Sequence, residues 1–443
     1  MLDRLSRLLS TFAFAMLLVA CGARDITSSG APTFAIFASI SGLTNGTVEI
    51  KADGQISGAI RNSSSLFLND RYASGDNYVV SIVKQPSGLY CSLENGSGTV
   101  WGADVTNVAI TCRPQYSYVL NQSNNTVSMF AMGADGILSP LSTPTVATGV
   151  APRQIAIHPS GTFAYVLNSN DASVSMYAIG SNGIMTALNT PPVNTGAYPV
   201  GIAIHPNGTF AYVTNSGTSD ISMYSIANTG VLTPLSTPTV STGPSPAHLS
   251  ISPSGGYAYV LNPIENSIYM YAIQNNGILI PLSTLAVSTE INPQAIAFNP
   301  SGTNAYVINK SSNTVSMYSV GNNGILTPLN TPAVATGSSP NDIAIHPDGT
   351  FAYVPNWIDH TISMYTIGSN GALSPLGTPA VLAGYDTSAI AINAAGTYLY
   401  VTTAGASTVS MYSIGTNGLL TPLSTPTVST GTGSFPINIV ISK

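Results

Sequence analysis

Two histidines and a scatter of carboxylates are the residues of this chain whose types suit catalysis. Residues 115–443 hold three cations, Arg153, Lys310 and Lys443, against nine carboxylates, among them Glu290 and Asp386. Such a carboxylate is fitted to act as general base on a water molecule, with His248 or His360 assisting. Neighbouring carboxylate oxygens would also suit Ca²⁺ or Mg²⁺, although no Asp-rich calcium loop is present. No cofactor is otherwise called for. A nucleophile elbow, a phosphate-cradling Gly-rich loop before a helix and an HExxH pair are all missing, which argues against covalent hydrolysis, nucleotide use and zinc proteolysis.

What must position these residues is a repeat. Tyr118, Tyr165, Tyr212, Tyr259, Tyr306, Tyr353 and Tyr400 fall 47 residues apart, and so do Met129, Met176, Met223, Met270, Met317, Met364 and Met411. Long-period self-similarity of this kind takes precedence over any single motif. Each unit reads as four strands. In one copy these are 155–157, 163–168, 174–179 and a fourth after Asn182-Gly183, a pair that favours a two-residue primed turn. The fourth strand is Pro-rich, as in Leu235-Ser236-Thr237-Pro238, and proline suits only an outer edge. Four-stranded antiparallel units at this spacing predict a β-propeller, all-β and seven-bladed. A first-strand pattern recurs at 436–442, so this segment is expected to pair with the Tyr118 unit and close the ring. Met and Tyr then serve as packing between blades.

That architecture sorts the candidates. His158, His205 and His346 share one position in the hairpin between first and second strands and are expected to be turn residues. His248 starts a first strand, in register with Gln154, Gly201, Ala295 and Asp342, near the mouth of the central channel. Arg153, Glu290, Tyr385 and Asp386 lie in loops or approaches that enter first strands. Asp171, Glu265, Trp357, Asp359 and His360 lie in loops that leave second strands. All are expected on one face, as a binding face with Glu290, Asp386, His248 and His360 as the catalytic candidates. Solvated loop charges plus one surface Trp are the alternative account of the same set.

The remaining chain sets the context. Arg4 and Arg7 precede an apolar run at 8–20, as a secretory signal requires. The run ends in Leu18-Val19-Ala20-Cys21, which resembles a bacterial lipobox. The resemblance implies a signal peptide over 1–20, a lipid on Cys21 and a tether over 21–30. Gly22 after the Cys favours the outer membrane, with the protein facing periplasm or exterior. Residues 31–113 lack the repeat and read as short strands of a small β-sandwich (Ig-like) domain, with the propeller over 114–443. Cys91 and Cys112, an even pair in an exported chain, are expected to form a disulfide. Residues 108–110 also resemble a propeller first strand, and an alternative in which they close the ring stays open.

The repeat resembles two overlapping groups, the YVTN-repeat surface propellers, matched by Tyr212-Val213-Thr214-Asn215, and the lactonases typified by 6-phosphogluconolactonase. The resemblance covers residues 115–443 and implies seven blades. No catalytic motif of the lactonases is matched residue by residue. A net charge of −6, with 6% charged residues and no basic cluster, argues against nucleic acid as a partner. Scarce charge favours a cell-envelope binding or scaffold module for a protein, glycan or other extracellular polymer. The alternative implied by the resemblance is a hydrolase of an uncharged lactone, with or without a metal. Whether the chain is an enzyme is left open at this point.

Overall fold

The computed structural model describes residues 32–53, 55–60 and 66–442. The expected signal peptide, Cys21 and tether lie outside the described residues. Seven antiparallel sheets follow the 47-residue repeat. In the blade of Tyr212, strands Pro199–Ile204, Phe210–Asn215, Asp220–Ile226 and Leu232–Ser241 pair in chain order. Tyr212 stands opposite Met223, so the two lattices of the sequence are a single cross-strand pair. Both faces of the two central strands are buried, which is why they carry near-continuous apolar runs.

The first sheet joins distant segments. Strand Pro436–Ile441 pairs antiparallel with Tyr116–Asn121, followed outward by Thr126–Met132 and Leu138–Ala147. It lies against Thr387–Ile392 on one side and Pro152–Ile157 on the other, so the innermost strands adjoin all the way round. Residues 108–110 take no part in this. They belong to Val105–Pro114, between Phe34–Ser41 and Leu89–Glu94 in a separate sheet. That sheet and a second, built on Val48–Ala52 and Asn77–Lys84, enclose one core that includes Ile36, Ile50, Val80 and Val108. Cys91 and Cys112 stand opposite each other in adjacent strands and are disulfide-bonded.

Recurring polar contacts join blade to blade. The buried Tyr118 hydroxyl donates to the carbonyl of Gly183 in the next blade, and its six lattice mates do likewise at 2.8–3.0 Å. The last of them, Tyr400, reaches Gly136 of the first blade. A second tyrosine lattice points backward, as from Tyr177 to the Ala147 carbonyl at 2.7 Å. Phe130 holds that place in the first blade. His158, His205 and His346 each face a turn carbonyl of the next blade through Nε2 at 2.8 Å, so they are turn residues of the scaffold. The motif asparagine has its own task. Buried Asn168 donates to the Ser173 and Ser175 hydroxyls, which satisfies the serine of the Ser-Met-Tyr motif as well. Where Tyr269 replaces that serine, Asn262 turns to the Val260 carbonyl instead.

The Asn-Gly pairs do not form the expected primed turn. At Asn182-Gly183 only the glycine has positive φ, +78°. Its N–H donates to Gly180, while the Asn182 side chain accepts from Ile184. This is a tight turn followed by a left-handed glycine. Contact between blades explains the choice, because a Cβ on Gly183 would lie 2.2 Å from the Tyr116 ring. The outer strands are exposed edges carrying proline and a register shift, as between Ser222 and Tyr224, both of which discourage edge-to-edge pairing. In the second blade Pro191-Pro192 split the edge into Met185–Ala187 and Val193–Asn194.

Two outcomes are expected. Tyr259→Phe leaves the buried Gly324 carbonyl without its donor and should cost about 1–3 kcal/mol in chemical denaturation. An unchanged midpoint would show that the hydroxyl contributes nothing. Deleting 436–443 should destabilise the propeller further and open Tyr116–Asn121 to proteolysis. A truncated chain that melts like its parent would remove the structural role of the last strand.

Candidate functional site

The innermost strands all begin at one end of the central channel. There a cavity of about 360 Å³ is walled by consecutive lattice columns. The outer column supplies Arg153, Val200, Ala247, Gln294, Asn341, Ser388 and Ile437. The inner one supplies Gln154, His248, Ala295, Asp342, Ala389 and Asn438. Gln122, Lys310 and Trp357, from the exits of second strands, and Phe435 complete the wall. Five blades carry these columns within a six-residue first strand, whereas His248 and Asp342 precede the shortened strands Leu249–Ile251 and Ala344–Ile345.

Some of these side chains also fasten the scaffold. Gln154 accepts the Ile202 N–H at 2.8 Å, Asp342 the Ile390 N–H at 3.2 Å and Asn438 the Ile155 N–H at 3.3 Å, each from the neighbouring blade. Asp342 also accepts the Ile343 N–H at 2.8 Å. Burial pushes its carboxyl up to about 6, against the pull of those two N–H groups. His248 is driven the other way, down to about 4 by burial, and is therefore neutral at physiological pH. Its Nδ1 is shielded from solvent and has no hydrogen-bond partner. Lys310 has its pKa lowered by burial and by the nearby Arg153 charge. Its Nζ lies 6.0 Å from the centre of the Trp357 ring.

Charge is concentrated here. Arg153 and Lys310 are the two cations of residues 115–442, and both line the cavity, whereas Asp342 is the single carboxylate of nine that does. The expected face thus divides into two groups. Arg153, His248, Asp342 and Trp357 come together. The others serve the loops around them. Asp171 accepts the Val150 N–H at 2.6 Å, and Asp359, four repeats later, accepts the Ser338 N–H at 2.7 Å. Glu265 shares that column and accepts the Tyr269 hydroxyl, while Glu290 accepts from Thr314. His360 Nδ1 accepts the Asp386 N–H at 3.0 Å, and its ring packs on the exposed Tyr385. Of the four catalytic candidates, only His248 lines the cavity.

Lys310, Gln294, Asn341, Ser388, Phe435 and Asn438 were missing from the sequence-derived set. Lys310 carried a usable signal, since it stands one repeat before Trp357 in the same column. Phe435 carried none, because the two extra residues before the last strand move it off the lattice. Among the described residues no three side chains of His, Cys, Asp or Glu come together. The carboxylates that would have suited Ca²⁺ or Mg²⁺ are dispersed over separate loops.

A family profile described as "Lactonase, 7-bladed beta-propeller" matches residues 108–262, 193–335 and 321–443. Among solved structures the chain is similar to a provisionally assigned 6-phosphogluconolactonase of Bacteroides fragilis, at 22% identity and TM-score 0.65, over 74% of this chain and 98% of that one. It is also similar to the periplasmic gluconolactonase of Pseudomonas aeruginosa, at 16% identity and TM-score 0.64, over 74% and 99%. A functionally unknown protein from Desulfotomaculum acetoxidans matches at 18% and 0.59, over 74% and 98%. No curated protein matches. The expectation of a non-catalytic binding or scaffold module is corrected by the family match, which runs through all seven blades. Scarcity of charge misled because it was averaged over the surface, while both described cations of residues 115–442 meet in one cavity. The chain belongs to the lactonase family of seven-bladed β-propellers.

Proposed function

We propose that the chain hydrolyses a lactone in the channel-mouth cavity. The observation that carries this reading is that the propeller's only two described cations and one elevated carboxylate line the same cavity of a lactonase-family fold. Water adds to the lactone carbonyl as Asp342 takes its proton. A carboxyl titrating near 6 is largely ionised at neutral pH yet basic enough for that transfer. Negative charge that develops on the carbonyl oxygen is met by Arg153 or Lys310. The ring C–O bond then breaks, and the proton held by Asp342 passes to the departing oxygen. Lactone and water together become a hydroxy acid, whose carboxylate the same two cations favour. An uncharged lactone is therefore compatible with a cationic rim, since charge arises during the reaction. Neutral His248 is suited to hydrogen-bond a hydroxyl or the ring oxygen without adding charge.

We further infer an exported protein, lipid-anchored through Cys21, with a small Ig-like sandwich over 31–113 ahead of a closed ring over 114–443. The Cys91–Cys112 bond supports an oxidising compartment, as do the signal and lipobox patterns.

Asp342→Asn should lower kcat/KM on a responsive lactone by about 100-fold or more in a proton-release assay. Activity within twofold of the parent would end the Asp342 mechanism. In the parent, kcat/KM should rise with pH through about 6 and level off above it, because the base must be unprotonated. Asp342 also costs stability at neutral pH. Its folded pKa is raised above the unfolded value of 3.8, so folding weakens as pH climbs from about 4 through about 6. The Asn variant should accordingly melt higher than the parent at pH 7.5, with the gap closing near pH 4.

A further inference from the structure

The cavity wall is apolar on one arc. Trp357, leaving the second strand of the sixth blade, and Phe435, on the loop entering Pro436–Ile441, have ring centroids 6.0 Å apart at 60°. Both line the cavity, together with Ala389 of the blade between them and Ile437. Trp357 departs from what its column holds elsewhere. Trp357 stands where other blades place Gln122, Ser169, Ser216, Pro263, Lys310 and Ala404. Phe435 has φ of +51°, and the whole column shares that conformation, with Ala151, Tyr198, Ser245, Asn292, Ser339 and Asp386 in the other blades. Tyr198 is the other aromatic of this column, and of the two only Phe435 lines the cavity. The column supplies the conformation, and this chain has put a phenyl ring on it.

We propose that Trp357 and Phe435 determine specificity by forming a wall for a flat, aryl-bearing lactone. The aryl ring would pack against the indole and phenyl faces, with Ala389 leaving room between them. The lactone carbonyl would point toward Lys310, Arg153 and Asp342 on the remaining arc. The kinetic part of this inference rests on the hydrolase reading, whereas the binding part does not.

Dihydrocoumarin and δ-valerolactone share a six-membered lactone and differ by the fused aryl ring, so each variant is compared on both. Trp357→Gln and Phe435→Asn borrow residues that the chain already uses in these columns, which guards the fold. Each should lower kcat/KM for dihydrocoumarin about tenfold, with δ-valerolactone changing less than about twofold. Trp357→Phe should retain most of the activity. Equal losses on both lactones, no loss on either, or a parent that opens δ-valerolactone alone would overturn the wall. Binding is measured in every case with 3-(2-hydroxyphenyl)propanoate, the ring-opened aryl product. The chain has two tryptophans, so in a Trp101→Phe background the emission reports Trp357. Saturable quenching that is lost with Phe435→Asn supports the wall, and unchanged emission overturns it. Failure of the parent to open any lactone alongside such quenching would count against the hydrolase reading and leave the aromatic site standing.

Discussion

A buried tyrosine hydroxyl that finds its acceptor only in the next blade is the constraint on which the ring depends. Each phenol at Tyr118 and its lattice mates is shut away from water, and burial raises its pKa strongly. Such a group is costly unless hydrogen-bonded, and its carbonyl partner belongs to a neighbour's turn. No blade can therefore satisfy its own centre. The glycine that supplies the carbonyl is fixed by a second contact, since its left-handed φ and missing side chain let the residue two places before that tyrosine, an aromatic in six of seven blades, lie against it. The tyrosine hydrogen bond repeats from blade to blade until Tyr400 returns it to Gly136.

On this scaffold the cavity is a place where the symmetry is allowed to lapse. The columns at the starts of the first strands sit at the channel mouth, where little packing dictates identity. Glycine, alanine, glutamine, histidine, aspartate and asparagine all occur in the inner column. Gln154, Asp342 and Asn438 each also accept the next blade's N–H. Asp342 is thus held by the fold and made basic by it at once. Its orientation comes from the interface between blades, and its raised affinity for protons comes from the burial that interface imposes.

Periodicity made the fold legible, and departures from it made the site only half legible. Tyr118 to Tyr400, the Pro-rich edges and the 436–442 pattern each follow from local rules that need no coordinates. Loop charges were harder. Asp171, Glu265 and Asp359 looked like singular features, yet they occupy one column, and the two aspartates among them accept backbone N–H groups. His360 accepts the Asp386 N–H and does not line the cavity. In such loops an oxygen or nitrogen acceptor can be there for the backbone alone, and sequence does not distinguish that from catalysis. Lys310 and Phe435 reach the cavity through tertiary geometry: one from a column judged by its tryptophan, the other on a lengthened loop.

The mixed origin of the first sheet has a temporal side. Tyr116–Asn121 is among the earliest propeller strands to leave the ribosome, while its partner Pro436–Ile441 follows all six other blades. Through most of synthesis that inner edge has nothing to pair with, and Tyr400 has no Gly136 in reach unless the nascent arc bends round to it. The first sheet is complete only once that late strand is present. The contact between the first and last repeats is thus postponed until the strand after the seventh repeat has been made.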